Sequence, residues 1–423
     1  MTGHQHKNRM RSEDKMKRKW LEIGIIILFI GTCIVPVMAQ HTEKPLPLPR
    51  GNWWYVGGSG PGNYTRIQDA IDNTSDGDTV FVYDDSSPYV EHIGITNAVL
   101  LVGENRNTTE IDAPFQPTGA CITIDADNVT VSNFTIKDRG GGIVTSTNDR
   151  IEGNVFRTLE FFSIGLECGE DNSIIHNFFF IDGICILLDS NRNIVSNNFF
   201  VSSSEVTQGI DVASGSYNII KNNDFEVTED IYLESSSSHN LIIENTFDYH
   251  SQVVDNGQNN SWNKKYPSGG NYWRDYPYED DYSGANQDQP GADGIGDRPV
   301  NISGGYAVDR LPLMYPYGTT KLAIGYKILF KPSMTIQNIG NTTAFNVQWN
   351  TSLKGGFIFI GKNSSGVLPT PLPPGQEKSV TLGFILGLGR IEMTRTVWAD
   401  NAPVVSAKIN GILLLFFFRV IGV

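Results

Sequence analysis

Three carboxylates in alternating apolar and polar segments are the first candidates for chemistry: Glu167, Asp211 and Glu234. Glycoside hydrolysis uses two carboxyl groups, one as an acid and the other as a base or nucleophile. If Ile184 faces inward, Glu167 and Asp211 face outward two repeats apart, at about 9–10 Å. Cys185 is then expected between them, and no Lys or Arg shares the column. A solvated acidic face is the competing interpretation, so no catalytic residue is assigned.

Aromatic residues in the segment 262–318 offer a second kind of site. Trp262, Tyr272 and Trp273 could stack on sugar rings through their apolar faces. The competing interpretation is a C-terminal cap, in which these aromatic residues cover the last repeat of the fold.

Acidic residues of the same segment could hold a structural Ca²⁺. Asp288, Asp293 and Asp297 are interleaved with glycines, and carboxylate oxygens are the ligands that Ca²⁺ prefers. The loop departs from the EF-hand pattern because it lacks the Glu at position 12. Calcium is the only cofactor that these residues suggest, and it is compatible with the capping role.

The N-terminus predicts export. A basic stretch at 15–19 precedes the apolar run 21–37, and Val37, Met38 and Ala39 form a small-x-small cleavage site, as in a signal peptide. An uncleaved anchor helix is the alternative. Both interpretations place the remaining chain on the cell surface or outside the cell, or in the periplasm of a host with an outer membrane. Ten N-x-S/T sequons follow the signal and would be glycosylated only at exposed positions.

The chain that follows the signal is acidic, with 25 Lys and Arg against 43 Asp and Glu after residue 39. This charge argues against nucleic acid and anionic membranes as partners, and it favours neutral sugars or cations. Cys121, Cys168 and Cys185 have no C-x-x-C spacing and are predicted to be buried thiols. The oligomeric state does not follow from the sequence.

A repeat between residues 128 and 247 predicts the fold. The pattern N-x-[IV]-x-x-N-x-F recurs, with its second Asn at intervals of 21, 23, 21, 25 and 22 residues. Such a period with β-branched and aromatic residues at alternate positions indicates a β-solenoid. Equivalent side chains then stack in columns inside, and their amides bond to one another. The predicted columns are Asn133, Asn154, Asn177, Asn198, Asn223 and Asn245, with Phe156, Phe179, Phe200, Phe225 and Phe247.

The remaining segments complete the predicted organisation. Thr65–Gln68 has the pattern of a capping box that begins a short helix over the first coil. After residue 318 the repeat gives way to short alternating strands and Pro/Gly turns, as in an immunoglobulin-like β-sandwich, with the apolar run 411–423 as a buried last strand or a membrane-associating tail. The predicted domains are a signal peptide (1–39), a Pro-rich linker (40–50), a β-helix with its capping helix (51–261), an aromatic and Asp-rich cap (262–318) and the sandwich (319–423).

These motifs resemble known families. The stretch Tyr64–Ile71 followed by Asp76–Val80 is similar to the N-terminal cap of pectin-lyase-like proteins. The Asn/Phe coils, with Asn271-Tyr272-Trp273 and Asp293–Asp297, resemble the NosD family and its carbohydrate-binding and sugar-hydrolase (CASH) repeats. Asn338–Asn341 with Leu372–Gly375 resembles adhesion-type CARDB modules. The resemblance implies a right-handed, single-stranded parallel β-helix followed by an immunoglobulin-like sandwich, an all-β chain.

The favoured function is a surface β-helix protein that binds carbohydrate or other surface components as a scaffold or adhesion module. A polysaccharide lyase or hydrolase on the β-helix face is the first alternative. The NosD resemblance implies a second, a factor for copper-site maturation. Copper delivery needs a cluster of soft ligands, whereas the Met and His residues are scattered along the sequence.

Overall fold

The computed structural model describes residues 51–115, 119–138, 141–158, 164–202, 207–249, 252–328, 332–415 and 417–420. All of them belong to one compact unit, Leu48–Val423. The predicted signal peptide and the whole of the predicted linker lie outside the described residues. Among the residues described, no helix has the length and apolar character needed to cross a membrane.

Three parallel sheets wind around one core between residues 53 and 273. The strands are, in chain order, β1 (Trp53–Val56), β2 (Thr79–Val82), β3 (Ile93–Ile95), β4 (Leu100–Gly103), β5 (Glu110–Asp112), β6 (Ile122–Ile124), β7 (Thr130–Ser132), β8 (Thr135–Asp138), β9 (Gly141–Val144), β10 (Arg150–Glu152), β11 (Val155–Thr158), β12 (Ile164–Cys168), β13 (Ser173–Ile175), β14 (Phe178–Phe180), β15 (Ile184–Leu188), β16 (Ile194–Ser196), β17 (Phe199–Val201), β18 (Gln208–Val212), β19 (Ile219–Lys221), β20 (Asp224–Glu226), β21 (Glu229–Leu233), β22 (Leu241–Ile243), β23 (Thr246–Phe247), β24 (Gln252–Asp255) and β25 (Tyr272–Trp273).

Each coil contributes one strand to each sheet, so the sheets run in the orders β1-β2-β4-β7-β10-β13-β16-β19-β22, β5-β8-β11-β14-β17-β20-β23-β25 and β3-β6-β9-β12-β15-β18-β21-β24. The predicted parallel β-helix is confirmed, with about nine turns. Its core consists of aligned apolar residues: Ile174, Val195 and Ile220 pair in register on adjacent coils and are fully buried. Each such side chain contributes about 1.5–3 kcal/mol through the hydrophobic effect.

One short helix, α1 (Ile67–Ile71), covers the first coil and buries Ile67 and Ile71 against it. The predicted capping box at its start is wrong, because the N-cap residue Arg66 makes no side-chain capping bond. Instead the buried carboxylate of Glu91, one coil later, accepts the backbone N–H groups of Ile67 and Gln68 at 2.8 and 3.1 Å. The helix is thus held by the coil that it covers rather than by its own flanking sequence.

Antiparallel strands follow the β-helix, and they are β26 (Tyr282–Ser283), β27 (Gln289–Pro290), β28 (Val300–Asn301), β29 (Val308–Asp309), β30 (Leu322–Ile328), β31 (Pro332–Asn338), β32 (Gln348–Ile360), β33 (Asn363–Val367), β34 (Glu377–Thr381), β35 (Leu386–Ala399), β36 (Ala402–Leu415) and β37 (Phe417–Val420). Two sheets, β30-β31-β34 and β33-β32-β35-β36-β37, enclose a second apolar core. The predicted antiparallel C-terminal region is confirmed, and its adhesion-module character stays a prediction.

The end of the chain differs from the expected buried strand. Leu414 and Leu415 close β36 with 57% and 52% of their surface exposed, and Phe417 opens β37 with 60% exposed. Leu413 of this run is fully buried in the C-terminal core and Phe418 packs against it, so the run is buried in part and extends beyond the core at Leu414, Leu415 and Phe417.

Candidate functional site

Two columns of asparagine side chains flank the first sheet on the inside of the β-helix. The members are Asn172, Asn193, Asn218, Asn240 and Asn260 in the first column, begun by Asp149, and Asn154, Asn177, Asn198, Asn223, Asn245 and Asn271 in the second. In the second column each Oδ1 accepts the backbone N–H of the Asn one coil earlier, at 2.9–3.1 Å. Each Nδ2 donates to the next Oδ1, so every amide in this column points the same way along the axis.

Both columns end on a carboxylate that also binds a tryptophan. Asp309 accepts the backbone N–H of Asn271 at 2.8 Å and the indole N–H of Trp273 at 3.1 Å. Asp255 accepts from Asn260 Nδ2 at 2.9 Å and from the indole of Trp262 at 2.8 Å. A carboxylate has only acceptors, which suits a column whose last group is a donor.

The tryptophans expected to stack on sugars lie in the core. Trp273 stacks on Phe247 with 4.4 Å between ring centroids and ends the column of phenylalanines, and Trp262 is 1% exposed beside both rings. The expectation of a sugar-stacking role for these two is therefore wrong, and Tyr272 is half-buried against the apolar cap residues. The spacing Asn271-x-Trp273, which matches Asn-x-Phe, could have identified this stretch as one further coil.

Asn133 lies outside the column in which it was expected. It is exposed with φ of 63°, and Phe134 donates its backbone N–H to Asn154 at 3.0 Å in the position of the ladder residue. In the later coils the residue just before each ladder Asn, such as Asn197 with φ of 57°, has the same left-handed backbone. Asn133 is therefore a turn residue, a conformation that Asn tolerates.

Buried carboxyls give the β-helix a distinctive pH dependence. Burial raises the pKa values of Asp309, Asp149 and Asp211 from 3.8 to about 6. Between pH 3.8 and about pH 6 the native state holds protons that the unfolded chain releases, so the free energy of unfolding rises as the pH falls through this range. We expect the denaturant midpoint to be higher at pH 5 than at pH 7. The His176 imidazole, 3.7 Å from Glu152, and the hydrogen bond from Arg150 lower the pKa of Glu152 to about 2, and that carboxylate's stabilisation is lost only below about pH 4.5.

The Asp309→Asn variant checks the origin of this effect, because an amide does not titrate. We expect the gain in midpoint between pH 7 and pH 5 to shrink in this variant and to persist in Asp275→Asn, at an exposed position of the same cap. A midpoint of the unsubstituted protein that is equal or lower at pH 5 would contradict the prediction.

The acidic face of the third sheet brings two of the three candidate carboxylates together. Burial first, and then the nearby carboxylates of Glu234 and Glu229, raise the pKa of Asp211. One oxygen of Asp211 is buried and has no hydrogen-bond partner among the described residues. Glu167 lies two coils from Asp211 in the same column, about 9–10 Å away by strand spacing. Asp211 and Glu234 therefore lie near each other on this face, whereas Glu167 stands apart.

The residue between Glu167 and Asp211 is Leu187, not Cys185. Ile186, not Ile184, pairs with both Leu166 and Ile210, so the alignment of β15 with its neighbours differs by two residues from the expected one. The pairing of β15 is irregular at Cys185, and this side chain is fully buried. Leu187 therefore places an apolar side chain between Glu167 and Asp211 in the outer column.

The predicted calcium ligands are not brought together. The carboxylate of Asp293 accepts the backbone N–H groups of Gly284 and Ile295 at 3.0 and 3.1 Å, and Asp297 accepts those of Asp281 and Tyr282, while Asp288 is exposed. In the part of the chain that the structure describes, no three His, Cys, Asp or Glu residues form a group that could hold a metal ion. These carboxylates act as acceptors that order the loop.

An exposed group of aromatic rings on the first two coils was not identified from the sequence. Trp53 and Tyr55 on β1 are 49% and 39% exposed, and Phe81 and Tyr83 continue the same outer face. We call these four residues the aromatic platform. Ring centroids lie 6.2 Å apart for Trp53 and Tyr55, and 6.4 Å for Tyr55 and Phe81. The alternation in Trp53-x-Tyr55 and Phe81-x-Tyr83 was the available signal.

Close packing and polar groups border the platform. Gly58 has φ of 69°, and a Cβ there would come within 2.8 Å of the Tyr83 ring, so only glycine fits. The backbone N–H of Gly58 donates to Asp85 at 2.9 Å, and the Tyr89 hydroxyl donates to the Tyr83 carbonyl at 2.8 Å. The rings are thus held in place, with the carboxylate of Asp85 at their edge. Aromatic rings suit the apolar face of a sugar, and a carboxylate suits its hydroxyl groups.

The fold and its inner columns define a parallel β-helix protein. Residues 71–277, just under half of the chain, match the family described as periplasmic copper-binding protein (NosD). The β-helix is therefore NosD-like. No curated protein matches the sequence.

Several solved structures are similar to parts of the chain at low identity. Pectin methylesterase from Aspergillus niger is 15% identical, with a TM-score of 0.37, over 51% of this chain and 86% of the enzyme. Alginate lyase from a Paenibacillus species is 12% identical, with a TM-score of 0.33, over 49% and 94%. The ORF18 protein of Geobacillus virus E2 is 13% identical, with a TM-score of 0.34, over 75% and 74%.

The copper in the family's description does not fit the described residues. Cys168 and Cys185 are buried, and burial raises the pKa values of both thiols. Met334 and Met393 are fully buried in the C-terminal core. His92 directs both ring nitrogens to backbone carbonyls, at 2.9 Å each. Copper requires soft ligands that converge on one accessible point. These residues do not form such a group.

Proposed function

We propose that this chain is an exported surface protein that binds extended neutral glycans, with the aromatic platform as its contact surface. The observation that carries the proposal is the half exposure of Trp53 and Tyr55 on a rigid outer sheet. Burying an aromatic face against a sugar stabilises the complex without requiring the rings to move. The stacked coils of the β-helix continue beside the platform at a regular spacing of about 4.8 Å, so an extended ligand can contact several of them.

Charge supports the choice of a neutral ligand. Residues 51–318 contain 39 Asp and Glu against 13 Lys and Arg. An acidic polysaccharide would meet electrostatic repulsion from this segment, whereas a neutral one would not. The proposed ligand is therefore a neutral glucan, mannan or xylan rather than a uronic acid polymer.

Affinity electrophoresis in gels that contain each polysaccharide tests the proposal. We expect the chain from residue 40 onward to be retarded by at least one neutral glycan. The double substitution Trp53→Ala with Tyr55→Ala should weaken binding about tenfold, since each aromatic contact contributes about 0.5–1.5 kcal/mol. Tyr306→Ala is the matched control, because that side chain is fully exposed and lies outside the platform.

Equal retardation of the double variant and the unsubstituted protein would refute the platform as the binding surface. Absence of retardation by every neutral glycan would refute the proposed function. The enzymatic alternative is favoured by one observation, the half-buried Asp211 beside Glu234. Release of reducing ends from a bound glycan, abolished by Asp211→Asn, would establish that alternative.

A further inference from the structure

The five-stranded sheet of the C-terminal region ends in an exposed apolar edge. Its strands β32, β35 and β36 are 13, 14 and 14 residues long and extend beyond the buried core. One row of side chains crosses four adjacent strands at this end: Phe357, Leu388, Leu414 and Phe417. They are 76%, 42%, 57% and 60% exposed. We call residues 357–360, 384–388, 414–415 and 417 the apolar tip.

The apolar tip exposes both faces of the sheet. Consecutive residues in a strand point to opposite faces, and the adjacent Leu414 and Leu415 at the end of β36 are 57% and 52% exposed. A folded protein partner covers one face of a sheet, whereas hydrocarbon surrounds both. Soluble proteins rarely expose apolar patches of this kind without a binding role, so two apolar faces favour a lipid environment.

The backbone of the tip also departs from local preferences. Leu415 has φ of 60°, a conformation that costs a residue with a Cβ about 1–2 kcal/mol and that usually selects Gly or Asn. Gly355 and Gly356, with φ of 86° and 53°, bend β32 where the tip begins. Leu415 is a large apolar residue whose backbone conformation and exposure to water are both unfavourable. This combination indicates that its side chain is bound in an apolar medium.

Charge complementarity identifies the surface. Residues 319–423 contain ten Lys and Arg against three Asp and Glu, whereas residues 51–318 are strongly acidic. Lys354, Lys362 and Arg390 are exposed within three residues of the apolar tip. Cations next to an interfacial apolar group bind anionic lipid headgroups, and each contributes about 1 kcal/mol near the surface.

We propose that the apolar tip inserts into the interfacial layer of an anionic lipid bilayer, with Lys354, Lys362 and Arg390 at the level of the headgroup phosphates. The span from Phe357 to Ile360 is about 10 Å at about 3.3 Å per residue, the depth that interfacial segments reach. The strands of the tip pair with one another, which limits the unsatisfied backbone groups brought into the membrane. The membrane surface is independent of the glycan surface proposed above.

Vesicle co-sedimentation tests this proposal with the chain from residue 40 onward, which lacks the apolar segment 21–37. We expect it to bind vesicles of phosphatidylglycerol and phosphatidylcholine. Phe357→Ser with Leu414→Ser should lower the partition coefficient at least tenfold, and Lys354→Glu with Arg390→Glu should weaken binding only to the anionic vesicles. Tryptophan emission of Phe359→Trp should shift to the blue when vesicles are added.

Val404→Ser is the matched control, because Val404 is 66% exposed on the same strand as Leu414 but at its opposite end. It should bind vesicles as the unsubstituted chain does, and all variants should retain the same thermal midpoint. Undiminished binding by Phe357→Ser with Leu414→Ser, or no vesicle binding at all, would overturn the proposal. Self-association that these two substitutions abolish, without vesicle binding, would assign the tip to a second copy of the chain and also overturn it.

Discussion

Replacing Asn198 by Leu is expected to lower the free energy of unfolding by about 4 kcal/mol or more. Asn198 accepts the backbone N–H of Asn177 at 2.9 Å and its Nδ2 at 3.1 Å, and it donates to Ile174 and Asn223 at 2.9 and 3.1 Å. Leucine keeps the volume but leaves the buried backbone N–H of Asn177 without its partner, and such an unsatisfied group costs about 1–3 kcal/mol. It also removes one hydrogen bond each from Asn177 Nδ2, the Ile174 carbonyl and Asn223 Oδ1, of which Asn177 Nδ2 keeps Ile151 and Asn223 Oδ1 keeps the backbone N–H of residue 198. Chemical denaturation followed by circular dichroism measures the difference.

Asn197→Gly is the control for that measurement. Asn197 is the exposed turn residue beside Asn198, with φ of 57°, a backbone that glycine adopts at no steric cost. We expect its free energy of unfolding to change by less than about 1 kcal/mol. An equal loss in both variants, or no loss in Asn198→Leu, would show that the asparagine column does not stabilise the β-helix as the contacts indicate.

Phe200→Ala is expected to lower the free energy of unfolding by about 3–5 kcal/mol. The ring is fully buried between Phe179 and Phe225, with centroid distances of 5.0 and 4.7 Å. Its removal opens a cavity in the middle of a continuous column, where neighbouring coils cannot close without disturbing the ladder beside it. The midpoint of thermal or chemical unfolding is the readout.

The adjacent residue provides a matched substitution. Phe199 is half-buried, faces outward from the same strand, and stacks on Phe178 at 5.3 Å. Phe199→Ala removes the same atoms but leaves a gap that water fills, so the loss should be clearly smaller than for Phe200→Ala. Similar losses at both positions would contradict the assignment of Phe200 to the inner column.

The repeat made the fold predictable because identical surroundings recur in every coil. Asn177 and Phe179 have the same relation to their neighbours as Asn198 and Phe200, so the period alone fixes which side chains stack. The first copies of the pattern were harder to place. Asn133 has the right residue type at nearly the right interval, but Phe134 takes the ladder position, a shift of one residue that only the hydrogen bonds reveal.

The candidate sites were less predictable because they depend on contacts between distant residues. Trp273 has the composition of a sugar-binding residue, but its partners Phe247 and Asp309 place it in the core. The proximity of Asp211 to Glu234 depends on the register of β18 and β21, in which Asp211 pairs with Tyr232. The platform residues Trp53 and Tyr55 lie before the repeat begins, where no period marks them.

The net charge of the whole chain does not represent the charge of its C-terminal region. The overall acidity of the chain argued against anionic membranes, yet its last quarter has an excess of seven positive charges. Because electrostatic attraction acts over about 10 Å at moderate ionic strength, the charge near a binding surface matters more than the total. Counting charge for each predicted domain would have separated the two regions.

The uniform direction of the second asparagine column has a consequence for how such proteins change length. Every inner coil presents an acceptor to the coil before it and a donor to the coil after it. Duplicating or deleting one whole coil therefore preserves every junction, while Asp309 must remain where the column stops. Genetic expansion or contraction by single coils is compatible with this architecture, and the position of the terminal carboxylate, rather than the number of coils, sets the boundary.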